Sequence, residues 1–75
     1  MDVYRQLSGN SGVTHFEAGD DYIKILFTNG TLYLYTNKIT GERHVGQMKI
    51  LAKEGRGLST YISQHVKEKY AAKLK

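Results

Sequence analysis

The sequence predicts an α+β domain: a three-stranded antiparallel meander covered on one face by one or two C-terminal helices. Three observations predict it. Residues 22 to 37 hold two β-branched and aromatic runs around Asn29-Gly30, and a tight hairpin turn needs such residues for its positive φ angles. Val13 to Ala18 alternates as a strand and connects to the hairpin through Gly19-Asp20-Asp21. Beyond the hairpin, apolar residues recur at helical spacing, at Val45, Met48 and Ala52 and again at Tyr61, Ile62, Val66 and Tyr70.

In chain order, residues 1 to 12 read as a short lead-in, outside the domain proper at 13 to 74. Val3, Tyr4 and Leu7 suit one helical turn, and Ser8-Gly9-Asn10-Ser11-Gly12 a flexible joint with a frayed tail before it. In the first strand Thr14, Phe16 and Ala18 share one side, and Val13, His15 and Glu17 the other. Ile23, Ile25 and Phe27 define the core face of the second strand. Thr31 to Tyr35 is the third.

The central hairpin has two registers. A two-residue Asn29-Gly30 loop pairs Phe27 with Leu32 and Ile25 with Leu34, which turns Tyr33 and Tyr35 outward and gives an all-aliphatic core side. A three-residue loop, Thr28-Asn29-Gly30, puts Gly30 in a left-handed bulge position and turns both tyrosines inward. A one-residue slip exchanges the faces completely. Residues 40 to 53 read as a helix, although Gly41 and Gly46 weaken it and a fourth strand over 44 to 51 competes. Glu54-Gly55-Arg56-Gly57 breaks the chain, and Ser59 or Thr60 is placed to cap the last helix.

The chain has 75 residues and no cysteine. A chain this short buries only about 60 % of its unfolded surface, so its core is small. Disulfide frameworks and thiolate metal sites are excluded. No apolar run approaches the roughly 18 residues of a membrane span. The start lacks a charged segment followed by an apolar run, so no signal peptide and a cytoplasmic location are expected. Charge is unevenly spread. Residues 1 to 37 carry a net −2 and residues 38 to 75 a net +6, which suits an anionic partner for the C-terminal half or an ordinary lysine-rich solvated surface.

The residues give little support to catalysis. His15, His44 and His65 lack the spacing that sets two imidazoles on one helix face. There is no Gly-x-Ser-x-Gly elbow and no thiol nucleophile. Asp20-Asp21 is adjacent, so it suits a turn better than paired acid-base work. No enzyme activity, cofactor or metal is therefore expected. Gly55-Arg56-Gly57 before a helix has two readings, a phosphate cradle of free amides and a guanidinium, or a plain connector. Nucleic-acid binding needs cations for phosphates and exposed rings for bases. The candidates are Arg43, Lys49, Arg56, Lys67 and Lys69, with Tyr33 and Tyr35 as stacking rings if the hairpin turns them outward.

The run Ile23-x-Ile25-x-Phe27, then Asn29-Gly30, then Tyr33-Leu34-Tyr35 resembles the KTSC domain, a module seen at the C-terminus of some lysyl-tRNA synthetases and alone in small bacterial proteins. Ile39, Ala52, Gly55 to Gly57, and Val66 with Tyr70 fit later positions of that family's pattern, so the likeness spans about residues 13 to 70. Thr40-Gly41 stands where the family usually has proline, Ser63 where it has asparagine, and the glycine break is longer. The resemblance implies inward tyrosines, because the residue between them is often polar in the family. It also implies RNA as a partner, which has been suggested from the family's domain context. The sequence thus predicts a small non-catalytic binding module, for RNA through its basic half or for a protein partner through the exposed sheet face or edge.

Overall fold

The computed structural model describes residues 1–7 and 12–75. Among them, five strands form one antiparallel sheet in sequence order: β1 (Asp2–Val3), β2 (Val13–Ala18), β3 (Tyr22–Phe27), β4 (Leu32–Thr36) and β5 (Ala72–Lys73). The class is α+β, with two short edge strands added to the expected meander. A π-helical turn (Asn37–Gly41) leads into α1 (Glu42–Glu54), and the shorter α2 (Leu58–Tyr61) runs into a second π-helical turn (Ile62–Val66). Apart from Gly12, the joint expected over 8 to 12 lies outside the described residues.

The hairpin takes the three-residue loop. The Phe27 amide donates to the Thr31 carbonyl at 2.9 Å, and Ile25 faces Tyr33 while Ile23 faces Tyr35. Gly30 sits at φ 86°, a conformation that costs glycine nothing. Asn29 Oδ1 accepts the Thr31 amide at 3.0 Å and closes the loop. The choice follows from what it buries: an aromatic ring removes more surface from water than a leucine does. Tyr35 is 1 % exposed, and Leu32 and Leu34 face out.

Strand β2 departs from strict alternation. Val13 pairs with Phe27 but His15 with Leu26, so Thr14 is an extra residue in a bulge. The bulge lets both Val13 and Phe16 enter the core, where simple alternation separates them. Ile23, Ile25, Val45, Met48, Leu58 and Val66 complete its centre, all fully buried. Phe27 is only half-buried; it packs on the core from the sheet's end, edge-on to Tyr33 at 5.6 Å.

Residues 40 to 53 resolve in favour of the helix. Val45, Met48 and Ala52 form the buried stripe of α1, and Gly55 at φ 78° ends it, its amide donating to the Leu51 carbonyl at 2.9 Å. Gly57, not Ser59 or Thr60, precedes α2, and no side chain caps that helix. The last helix also stops early. Lys67 takes φ 49° after Val66, and the chain turns back to the sheet as β5. Tyr70 is therefore not helical; its ring lies 4.4 Å from that of Tyr33, tilted by 41°.

The lead-in is part of the sheet rather than a frayed helical turn. The Tyr4 amide donates to the Thr14 carbonyl at 2.9 Å, and Tyr4 is 2 % exposed within the core. Its hydroxyl accepts the buried Leu58 amide at 3.2 Å. Arg5 donates to the carbonyls of Lys53 and Glu54, at 2.7 and 3.2 Å, covering the C-terminal end of α1. The segment earns its order by satisfying donors and acceptors that the glycine break leaves open.

Candidate nucleic-acid interface

The two tyrosines proposed for base stacking do not form a platform. Tyr35 is buried, and burial with Tyr33 and Tyr70 beside it holds its phenol protonated far into the alkaline range. Tyr33 is half-buried and hemmed by Phe27, Tyr35 and Tyr70. The inward register removes both from the surface set.

The five cations separate into groups. Lys49 reaches across to the turn between β2 and β3, where its ammonium donates to the Asp20 carbonyl at 3.0 Å. Arg56 lies past the C-terminal end of α1 and lines an open cleft with Arg5, Leu7 and Glu54. Arg43 lies in the first turn of α1. The 13 residues of that helix, at about 1.5 Å each, put roughly 20 Å between these two arginines. Lys67 and Lys69 follow the second π-helical turn at the Arg43 end, because the Thr40 hydroxyl donates to the Lys69 carbonyl and ties the two segments together.

The glycine break is a connector. The amides of Gly55 and Arg56 both donate to the Leu51 carbonyl, at 2.9 and 3.4 Å, and that of Leu58 to Tyr4. These three amides are therefore already engaged within the chain.

A ring cluster missed by the sequence reading stands at the Arg43 end. His44 on α1, Tyr61 on α2 and His65 in the following turn meet pairwise. Ring centroids are 5.9 Å apart for His44 and Tyr61, 4.7 Å for Tyr61 and His65, and 6.5 Å for the two imidazoles, whose planes differ by 29°. His44 Nδ1 lies 2.7 Å from the Tyr61 hydroxyl. His44 and Tyr61 are half-buried and His65 is exposed. Tyr61 and His65 stand four residues apart, the spacing of helical neighbours; nothing local in the sequence points to His44. Arg43 adjoins one ring, Lys67 follows another by two residues, and Glu42 and Glu68 are the carboxylates of the same segments. Among the described residues no three His, Cys, Asp or Glu side chains gather as a metal site requires.

The outer face of the sheet is the second feature. His15, Leu26 and Leu32 form one row, and Glu17, Lys24, Leu34 and Ala72 the next. Tyr22 donates to Glu17 Oε2 at 2.8 Å, and Lys24 Nζ lies 3.6 Å from the same oxygen. The Tyr22 hydrogen bond first, then the Lys24 charge, lower the Glu17 pKa, and the same hydrogen bond raises that of Tyr22. A Cβ on Gly19 would overlap the Tyr22 ring, so the glycine makes room for it. His15 Nδ1 is buried without a hydrogen-bond partner among the described residues. No helix among them is long and apolar enough to cross a membrane.

No family model, no curated protein and no solved structure matches the chain.

Proposed function

We propose that this domain is a non-catalytic module that binds single-stranded nucleic acid, RNA foremost, at its helical end rather than on its sheet. One observation carries the reading: His44, Tyr61 and His65 form a ring cluster at the surface, and the same segments carry Arg43 next to His44, with Lys67 and Lys69 two and four residues after His65. Flat rings and cations together are what a single strand needs, since bases stack on any π face for about 1–3 kcal/mol each and phosphates pair with cations. The resemblance to the KTSC domain points to the same partner, as does the +6 balance of residues 38 to 75. A cytoplasmic location goes with it. Stacking and backbone contacts predict weak sequence preference.

The test is a titration of a fluorescent single-stranded RNA at two salt concentrations. Binding should weaken with salt, and each phosphate contact removed should reduce the salt slope by about one. Changing Arg43, Lys67 and Lys69 together to Glu should abolish binding, while Arg56→Glu, at the far end of α1, should not. A folded triple variant that binds as the parent does refutes the reading. A protein partner on the outer sheet face is the alternative. The half-buried Leu26, Leu32 and Leu34 favour it, because a solvated antiparallel face is usually polar. Absence of RNA binding at low salt would make it the better account.

A further inference from the structure

We infer, resting on the reading above, that binding at this end is proton-linked: the complex takes up protons on His44 and His65, so the domain holds a phosphodiester chain more tightly in mildly acidic solution. An imidazole is the side chain whose ordinary charge change falls between about pH 5 and 8. Two of them stand here with centroids 6.5 Å apart. The charged residues of the segments that carry and flank them are Lys38 in the first π-helical turn, Glu42 and Arg43 in the first turn of α1, and Lys67, Glu68 and Lys69 after the second π-helical turn. Four are cations. The two carboxylates are exposed and make no ion pair among the described residues. A bound polyanion attracts protons onto imidazoles beside it, and by linkage protons and ligand then favour each other's binding.

The His44–Tyr61 contact allows the charge to change without moving the ring. Neutral His44, in the tautomer that carries its proton on Nε2, accepts at Nδ1 from the Tyr61 hydroxyl across 2.7 Å. Protonated His44 donates from Nδ1–H to the phenol oxygen across the same distance. In that second state the Tyr61 proton no longer points at His44 and is available as a donor to a phosphate or a base. The exposed His65, whose ring lies 4.7 Å from that of Tyr61 at a tilt of 35°, adds its charge beside the same phenol. Protonation thus supplies two cations and redirects one hydroxyl without rebuilding the site.

The experiment measures affinity for a fluorescent oligouridylate, whose bases and phosphodiesters keep their charge in this range, at fixed ionic strength. Between about pH 8 and about pH 5.5 the affinity of the full chain should rise about tenfold or more. The double variant His44→Gln with His65→Gln should show no pH dependence, whatever its affinity, and His15→Gln should keep the parent's dependence. Proton NMR of the unmodified chain gives a second readout: saturating oligouridylate should shift the titration midpoints of His44 and His65 upward and leave that of His15 in place. Binding that does not vary with pH, a slope that survives the double variant, or unmoved midpoints would overturn the linkage and leave the proposed function standing. No binding at any pH would overturn the proposed function, and the linkage with it.

Discussion

Replacing Tyr4 should destabilise the whole domain, although it lies in a stretch whose sequence suggests a short, frayed lead-in. The ring is 2 % exposed in the core, and its hydroxyl accepts the Leu58 amide at the first residue of α2. Tyr4→Phe keeps the ring and orphans that buried amide, a loss of about 1–3 kcal/mol. Tyr4→Ala also empties the ring's volume and should cost on the order of 3–5 kcal/mol, the range for a buried aromatic. At roughly 0.05–0.15 kcal/mol per residue, a domain of this length has only about 4–11 kcal/mol of stability in all. Each kcal/mol is worth about 4–8 °C of Tm at this size. Tyr4→Phe should then lower Tm by on the order of 10 °C, and Tyr4→Ala should leave the domain marginal. Circular dichroism melts read the first effect, and hydrogen exchange at the Leu58 amide reads its cause. A Tyr4→Ala protein with the parent's Tm would refute the argument. A Tyr4→Phe protein with the parent's Tm and the parent's Leu58 exchange would remove the hydrogen bond from it and leave the packing.

Ile25→Ala and Phe27→Ala should rank opposite to side-chain size: Ile25 is fully buried and should cost about 2–5 kcal/mol, while Phe27, half-buried at the sheet's end, should cost less, and urea melts that rank Phe27 above Ile25 would contradict the packing described. In an alkaline titration followed by phenolate absorbance, fewer than the six tyrosines should ionise before the fold is lost, because burial keeps Tyr35 neutral and the Glu17 hydrogen bond resists ionisation of Tyr22. Both shifts are upward, so their contribution to stability is intact below about pH 10, the ordinary phenol value, and is lost as the pH rises through the raised values. Ionisation of all six in one step while circular dichroism stays native would show that Tyr35 is not enclosed.

The parts of the fold legible in the sequence are those whose pattern is long enough to repeat. Ile23 and Ile25 alternate and close on a loop chemistry that only Asn29 and Gly30 explain. Val45, Met48 and Ala52 keep helical spacing over two turns, which outweighed Gly46. Where an element is two residues long, no period exists to be read. Strands β1 and β5 are of that kind, held by partners distant in the chain: Val3 by His15, Ala72 by Leu34. The hairpin register also lay beyond local pattern, because Leu32 and Leu34 alternate as well as Tyr33 and Tyr35 do. What separates the two choices is the volume waiting under the sheet, which Tyr35 fills from β4 and Tyr70 borders from the returning chain. The same return explains why the last helix ends at Val66. The stripe through Tyr61, Ile62, Val66 and Tyr70 is periodic, yet Tyr70 is worth more packed on Tyr33 than continuing a helix into solvent.

The candidate site illustrates a different limit. Net charge is a property of composition and can be counted from the sequence, whereas a binding surface is a property of position. Lys49 donates to the Asp20 carbonyl, Arg56 shares a cleft with Arg5, and the Lys69 backbone is tied to Thr40, just ahead of the turn of α1 that carries Arg43. Counting cations therefore says nothing of which of them share a surface. Tyr33 and Tyr35 could serve as stacking rings only in the outward register, which the hairpin does not take; the rings that meet near the surface are two histidines and a tyrosine from three separate segments. His44 became part of the site through the crossing of α1 and α2, a tertiary contact with no local signature. A histidine that appears isolated in a sequence is isolated only along the chain, and the imidazole pair formed by the crossing is why the proposed proton linkage would belong to this surface rather than to any one residue.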